Sequence, residues 1–441
     1  MDLLNLLRER STVSNVNELT EEQLYQRYEQ LKAQLERYKR ENMTLDMSRG
    51  KPSPDQLSLS EEMLALLTAD ELITDDGLDT RNYGQLDGIP EAKSWFASIL
   101  EVAPSQVIVG GNSSLSTMHD TVARGLLKGV EEEAKPWSSY PSIKFLCPSP
   151  GYDRHFAICE FLGIDMIPVD MTNEGPNMDQ VEALVLEDET IKGIWCVPKY
   201  SNPEGVTYSE AVVKRLASMK TKATDFRIFW DNAYVIHHLT DTPDSLVSIL
   251  EEAKKAGYPN RPYVFASTSK VTFPGAGISA FVSSPDNIAF TKKQLSFQTI
   301  GADKINQLRH IRFFEKIGGV EELMKKHAAI IKPKFDLVID TLQQKLGNKN
   351  IATWTEPNGG YFISVNTENG CAARVVALCK EVGLTLTGAG ATYPYGKDPL
   401  DRNIRIAPSF PTLEELHKAM NVFCDCVELA AIEGKVEKSK A

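Results

Sequence analysis

Between Gln106 and Ser283 the chain alternates short, almost wholly apolar runs with longer stretches that repeat apolar residues at helical spacing. The runs are QVIVG, IKFLCP, DMIPVD, IKGIWCVP, FRIFWD, PYVFAST and ISAFVSS, and helix-compatible segments such as SEAVVKRLASMK separate most of them. Strands that read as continuous apolar runs are covered on both faces. The pattern therefore predicts an α/β fold, a seven-stranded, mostly parallel sheet with helices on both faces. In such a sheet ligands collect at the carboxyl ends of the strands, and here those ends carry acidic, prolyl, seryl and glycyl residues.

The flanks read differently. The first 80 residues are expected to be mostly helical, with Leu24, Tyr28, Leu31 and Leu35 forming one packing stripe on a helix over Glu21–Arg40. The segment RGKPSPDQLSL reads as extended, turn-rich chain. Beyond Gly318 come a long helix over Val320–Leu346, the strand-like IATWTE and GGYFISVN, a helix through CAARVVALCKEV, then LTLTG, NIRIAPS and a terminal helix from about Leu413. This is an α+β pattern, smaller than the parallel sheet. The chain thus divides into an N-terminal helical arm and extended segment (1–80) that joins the small domain, a large domain (81–318) and a C-terminal small α+β domain (319–441). The charged end EGKVEKSKA is expected to fray.

A formal charge of −12 over 441 residues argues against a nucleic-acid backbone or an anionic membrane as the main partner. The start of the chain has no long apolar core followed by a cleavage site, and no segment has the roughly 20 apolar residues of a membrane span. Seven cysteines without metal-ligand spacing read as reduced, mostly buried thiols. A cytoplasmic location is the expectation.

The candidate chemistry lies at the ends of the apolar runs. Lys270 closes VFASTSK and precedes the turn VTFPGAGIS; it is either a surface lysine or an amine poised for Schiff-base chemistry. Asp231 ends FRIFWD, as a helix N-cap or as the carboxylate that keeps a pyridine nitrogen protonated. A lysine and an acid at neighbouring strand ends are what pyridoxal phosphate requires. Ser267 and Ser269 could donate to phosphate oxygens. Tyr234 is a packed aromatic or a partner of the cofactor's phenolic oxygen, and Asn202, in KYSNPEG, is a turn residue or a second donor to that oxygen. Gly110–Ser114 stand between a strand and a helix, as an ordinary cap or as free amides for a phosphate. Arg405, in DRNIRIAPSF, forms either a surface ion pair or a bidentate clamp on a substrate carboxylate.

These residues carry a resemblance. The chain resembles the pyridoxal-phosphate aminotransferases of the aspartate aminotransferase fold type, most closely their divergent bacterial branch, from Met47 to Glu428. RGKP (Arg49–Pro52), SNPEG (Ser201–Gly205), DNAY (Asp231–Tyr234), STSK (Ser267–Lys270) and NIRIAP (Asn403–Pro408) occur in the family's order. The resemblance implies that Lys270 bonds the cofactor covalently and that Asp231 holds its ring nitrogen. Asn202 and Tyr234 would hold its ring oxygen, Tyr152 would stack on the ring, and Ser113 and Ser114 would fall in the phosphate loop. Arg405, with Gly50 and Asn202, would take the substrate. It further implies a homodimer with shared active sites, in which Tyr83 serves the partner's phosphate. Aspartate with 2-oxoglutarate is the favoured pair, which needs a second cation, for which Lys304 and Arg309 are candidates; a broad or aromatic-preferring aminotransferase, a lyase or a decarboxylase are the alternatives. One departure stands out. The arginine that usually follows the lysine to hold the phosphate is missing from KVTFPGAGISAF.

Overall fold

The computed structural model describes residues 15–440; the first 14 residues, and with them the start of the predicted arm, lie outside the described residues. All seven apolar runs are strands of one sheet. Its order is Val107–Val109, Ser279–Val282, Pro262–Ser267, Arg227–Asp231, Ile191–Cys196, Lys144–Ser149, Asp165–Thr172 and a two-residue eighth strand, Gly175–Pro176, that sequence reading did not anticipate. The pairings from Asp165–Thr172 across to Pro262–Ser267 are parallel. Ser279–Val282 runs antiparallel to both neighbours. The stretch between it and Pro262–Ser267 is too short for a helical crossover, so the chain can only turn back.

The sheet is buried on both faces. Ile194, Ile228, Trp230 and Val264 face one core, while Phe145, Trp195, Phe229 and Phe265 face the other. This alternation along Arg227–Asp231 puts Trp230 on one side and Phe229 on the other, and the same period sends Asp231 and Asn232 to opposite faces.

A second, antiparallel sheet of Ala352–Trp354, Ile363–Thr367 and Asn403–Ile406 shares a core with the helices Val320–Leu346, Ala372–Glu381 and Leu413–Lys440. The helix Glu21–Arg40 joins this core through Leu31 and Leu35, flanked by Leu24 and Tyr28, as the stripe predicts. Arg27 grips the buried carboxylate of Glu428 with two bonds of 2.8 and 2.7 Å. LTLTG contributes only Leu384–Thr385, which pairs in parallel with Leu45–Asp46.

Three expectations need correction. Among the described residues up to 80 there is one long helix, with only short turns of helix besides it, because prolines and turn residues break the chain after Arg40. Within the segment read as extended, Pro54–Ser58 is helical: proline occupies the first position and the Gln56 side chain accepts from the Ser53 N–H at 3.1 Å. The terminal helix continues to Lys440 rather than fraying from Glu433, tied by Arg374 to Glu433 at 2.7 Å and by Lys435 to Glu368 at 2.9 Å. All seven cysteines are buried. No helix among the described residues is long and apolar enough to cross a membrane.

Candidate active site

At the carboxyl ends of the parallel strands lies a pocket of about 210 Å³, lined by Ser113, Ser114, Tyr152, Asn202, Asp231, Tyr234, Ser267, Ser269 and Lys270. Asp231 and Ser267 are the last residues of adjacent strands, and Lys270 stands on the turn that follows. The side chains gathered here come from positions between 113 and 270, and the sheet topology alone brings them together.

Lys270 has its amine over the rings of Tyr234 and Tyr361, 5.2 and 5.8 Å from their centroids. Burial holds its pKa below the usual lysine range, partly offset by the charge of Asp231. Asp231 is only 3% exposed. Its Oδ2 accepts from Nε2 of His155 at 2.9 Å, while Oδ1 is buried without a hydrogen-bond partner. His155 lies flat on Trp195, with centroids 4.3 Å apart and planes within 9°, and makes a T-shaped contact with Tyr152 at 4.9 Å. Burial also raises the pKa of the Tyr234 hydroxyl well above its usual value.

Arg405 comes from the small sheet, where it pairs with Ser364. Its Nη1 donates to Asp153 at 2.9 Å and to Oδ1 of Asn202 at 3.2 Å, and its Nη2 to Thr387 at 3.3 Å. Its Nε is buried without a partner, and the guanidinium lies 4.9 Å over the Phe362 ring. Arg405 is thus a buried cation that does not itself line the pocket but bonds Asn202, which does, and it is no surface residue although it forms an ion pair.

Ser113 caps the helix Ser114–Lys128 by accepting from Leu115 N–H at 3.2 Å. Ser267 donates to Ser269 at 3.1 Å, and Ser269 to the carbonyl of Asn112 at 3.3 Å. Among the described lining residues Lys270 is the sole cationic side chain, so no other lining residue takes the place of the missing arginine.

Four predicted residues stand apart. Tyr83 is 80% exposed on its turn. Gly50 abuts Phe362, with no room for a side chain. Lys304 and Arg309 lie on the helix Lys304–Lys316 and do not line the pocket; Arg309 bonds Asn306 at 2.6 Å. Conversely, His155, Asp153 and Tyr361 were not singled out from sequence. His155 follows Tyr152 by three residues in PSPGYDRH, which puts both on one side of a helix start, and that spacing was the available signal.

The family model described as aspartate amino-transferase matches residues 19–439. The chain belongs to the aspartate aminotransferase family. As a family member it is an aminotransferase, and relatives matched over more than nine-tenths of their own lengths agree. A Mycolicibacterium smegmatis protein named as an aminotransferase is 51% identical over 89% of this chain and 92% of its own. The aspartate aminotransferase of Corynebacterium glutamicum is 45% identical over 92% of this chain and 94% of its own. The crystal structure of an aspartate transaminase from that organism superposes with a TM-score of 0.93 at 44% identity, covering 96% of this chain and all of the other. At 18% identity, the α-aminoadipate aminotransferase of Thermus thermophilus, complexed with N-(5'-phosphopyridoxyl)-L-leucine, shares the fold with a TM-score of 0.72 over 91% of this chain and 95% of its own. These aminotransferases share the architecture of a large, mostly parallel sheet with helices on both faces.

Proposed function

We propose that this aminotransferase moves the amino group of an L-amino acid, with aspartate as donor, to 2-oxoglutarate, using pyridoxal phosphate held by Lys270. The observation that carries the reading is the unpartnered Oδ1 of buried Asp231 in a pocket that also holds the amine of Lys270. A buried carboxylate oxygen without a donor is costly, and a protonated pyridine nitrogen is the donor that would satisfy it. The residues present therefore fit the cofactor. Asn202 and Tyr234 would meet its ring oxygen and Tyr152 would cover its ring. The amides at the start of Ser114–Lys128, with Ser113, Ser114, Ser267 and Ser269, would meet its phosphate. When bound, the group supplies an electron sink for the bond broken at the substrate α-carbon.

The protein's own residues then divide the work. Arg405 binds the α-carboxylate through its free Nε and the adjacent edge of the guanidinium, oriented by Asn202 and Asp153. The depressed pKa of Lys270 leaves more of its amine uncharged, which suits it to take and return the α-proton. His155 holds Asp231 oriented by donating to Oδ2.

A homodimer in the cytoplasm, with bounds at 80 and 318 between its parts, completes the reading. Tyr83, Phe297 and Ile300 are exposed apolar side chains, and Gly301 abuts the Gly84–Gln85 backbone, so the two turns form one apolar patch. Such a patch supports burial against a second copy, with Tyr83 reaching the partner's phosphate site. The side-chain carboxylate of aspartate would still need a cation, for which Lys304 and Arg309 remain the candidates. The test is a pair of half-reactions with the purified, cofactor-loaded enzyme: aspartate should bleach the cofactor absorption, and 2-oxoglutarate should restore it. Ammonia or pyruvate released without that restoration would point to a lyase instead.

A further inference from the structure

A second cavity, of about 560 Å³, lies on the other face of the strand Arg227–Asp231. Its walls come from the segments that supply the candidate active site. Lys199 stands three residues before Asn202, and Asn232 directly follows Asp231. Because side chains alternate across a strand, consecutive residues serve two different cavities.

Two polar side chains in its wall are unsatisfied. Lys199 is 8% exposed, and among the described residues its ammonium has neither an ion pair nor a hydrogen bond; it lies 5.6 Å from the centroid of the Tyr200 ring. Asn232 is also 8% exposed, and its Oδ1 has no partner. Buried polar groups in native proteins are almost always bonded, and a lysine so little exposed rarely lacks a bonded partner. His238, the other basic group in the wall, shares its Nδ1 with the Tyr200 hydroxyl at 2.9 Å, and burial pushes its pKa down to about 4, so it is neutral. Burial likewise lowers the pKa of Lys199, with Asp244 and Glu101 opposing.

The rest of the lining narrows the ligand. Ile249, Leu250, Val264 and Val282 give the cavity an aliphatic floor, while Glu101, Asp244 and Glu321 bring carboxylates to its margin. One cation, an amide, a set of acids and an aliphatic floor match a zwitterion with a hydrocarbon side chain. We propose that this cavity binds an aliphatic α-amino acid, its carboxylate on Lys199, its ammonium donating to Oδ1 of Asn232 and facing the acids, and its side chain on the aliphatic floor. The volume falls within the range of small-molecule sites. The site is separate from the pocket of Lys270, so binding here does not consume the ligand.

The test is calorimetric titration of the cofactor-loaded enzyme with L-leucine. Saturable binding should persist in Arg405→Ala, which removes the carboxylate anchor of the other pocket, and should weaken about tenfold or more in Lys199→Met. Lys199→Arg, which keeps the charge, should restore most of it. Ser245→Trp, at an exposed position on the mouth, should block binding without disturbing the core, and decides the matter if Lys199→Met does not fold. Absence of saturable L-leucine binding would overturn the proposal. So would binding that Ser245→Trp leaves unchanged, or binding that disappears with Arg405→Ala.

Discussion

His155 donates to one oxygen of Asp231 and leaves the other oxygen free. The carboxylate can only accept, so Nε2 of His155 carries the proton in this 2.9 Å contact. Stacking on Trp195 fixes the ring, and the ring in turn fixes which oxygen of Asp231 is left for the cofactor. His155→Leu should keep the fold and lower kcat by about tenfold or more, the usual cost of removing a residue that orients another. Asp231→Asn should cost more, since it keeps the shape and loses the charge. Steady-state kinetics of the two variants check this, and unchanged turnover in both would return Asp231 to a capping role.

Arg405 is buried with an unpartnered Nε, so its loss should be felt by every substrate that bears an α-carboxylate. Arg405→Ala should weaken amino and keto acids alike by about 2–5 kcal/mol, against at most about 1 for a surface pair. Lysine at this position should rescue little, because it lacks the planar fork. KM values for aspartate, alanine and 2-oxoglutarate measure it. A loss confined to dicarboxylates would reassign Arg405 to side-chain recognition.

Gly50 shows how a residue outside the pocket can still act on it. A Cβ at this position would stand 2.5 Å from Cζ of Phe362, the ring beneath Arg405. Gly50→Ala should therefore cost about 1–3 kcal/mol of stability and raise the substrate KM as Phe362 shifts. Denaturant titration together with kinetics reads both effects. A variant as stable as the parent would mean that the ring yields freely.

Much of this was legible in the chain. Each apolar run became a strand because a strand covered on both faces leaves no polar alternation to blur the signal. Asp231, Ser267 and Lys270 could be placed at one sheet edge because they end or follow such runs. His155 was not, since its meaning depends on contact with a residue 76 positions away. The short helix at Pro54–Ser58 was masked by prolines that read equally well as turns, and the antiparallel course of Ser279–Val282 lies in the length of a loop rather than in the strand itself. Gly50 was selected by motif, yet the reason for a glycine there is a phenylalanine more than three hundred residues on.

Acid should destabilise the fold through its buried histidines. His237 is held neutral well below its usual range by burial, His310 is pushed down to about 4 for the same reason, and His327 is lowered as well. Each binds a proton in the unfolded chain near pH 6.5 but not in the native state, so the unfolded state takes up more protons and stability falls as pH drops below that value. For fully buried His310 the loss should be about 2 kcal/mol between roughly pH 6.5 and pH 5. Urea midpoints across that interval test it, and His310→Gln should flatten the profile if it folds. A stability that stays level from pH 7 to pH 5 would contradict the assignment.

The central claim is that Lys270 bonds the cofactor. Borohydride reduction of the enzyme loaded with pyridoxal phosphate, followed by peptide mass spectrometry, should find one phosphopyridoxyl group per chain, on Lys270, and none in Lys270→Ala. A label on another lysine, or full amino transfer by Lys270→Ala, would contradict the account.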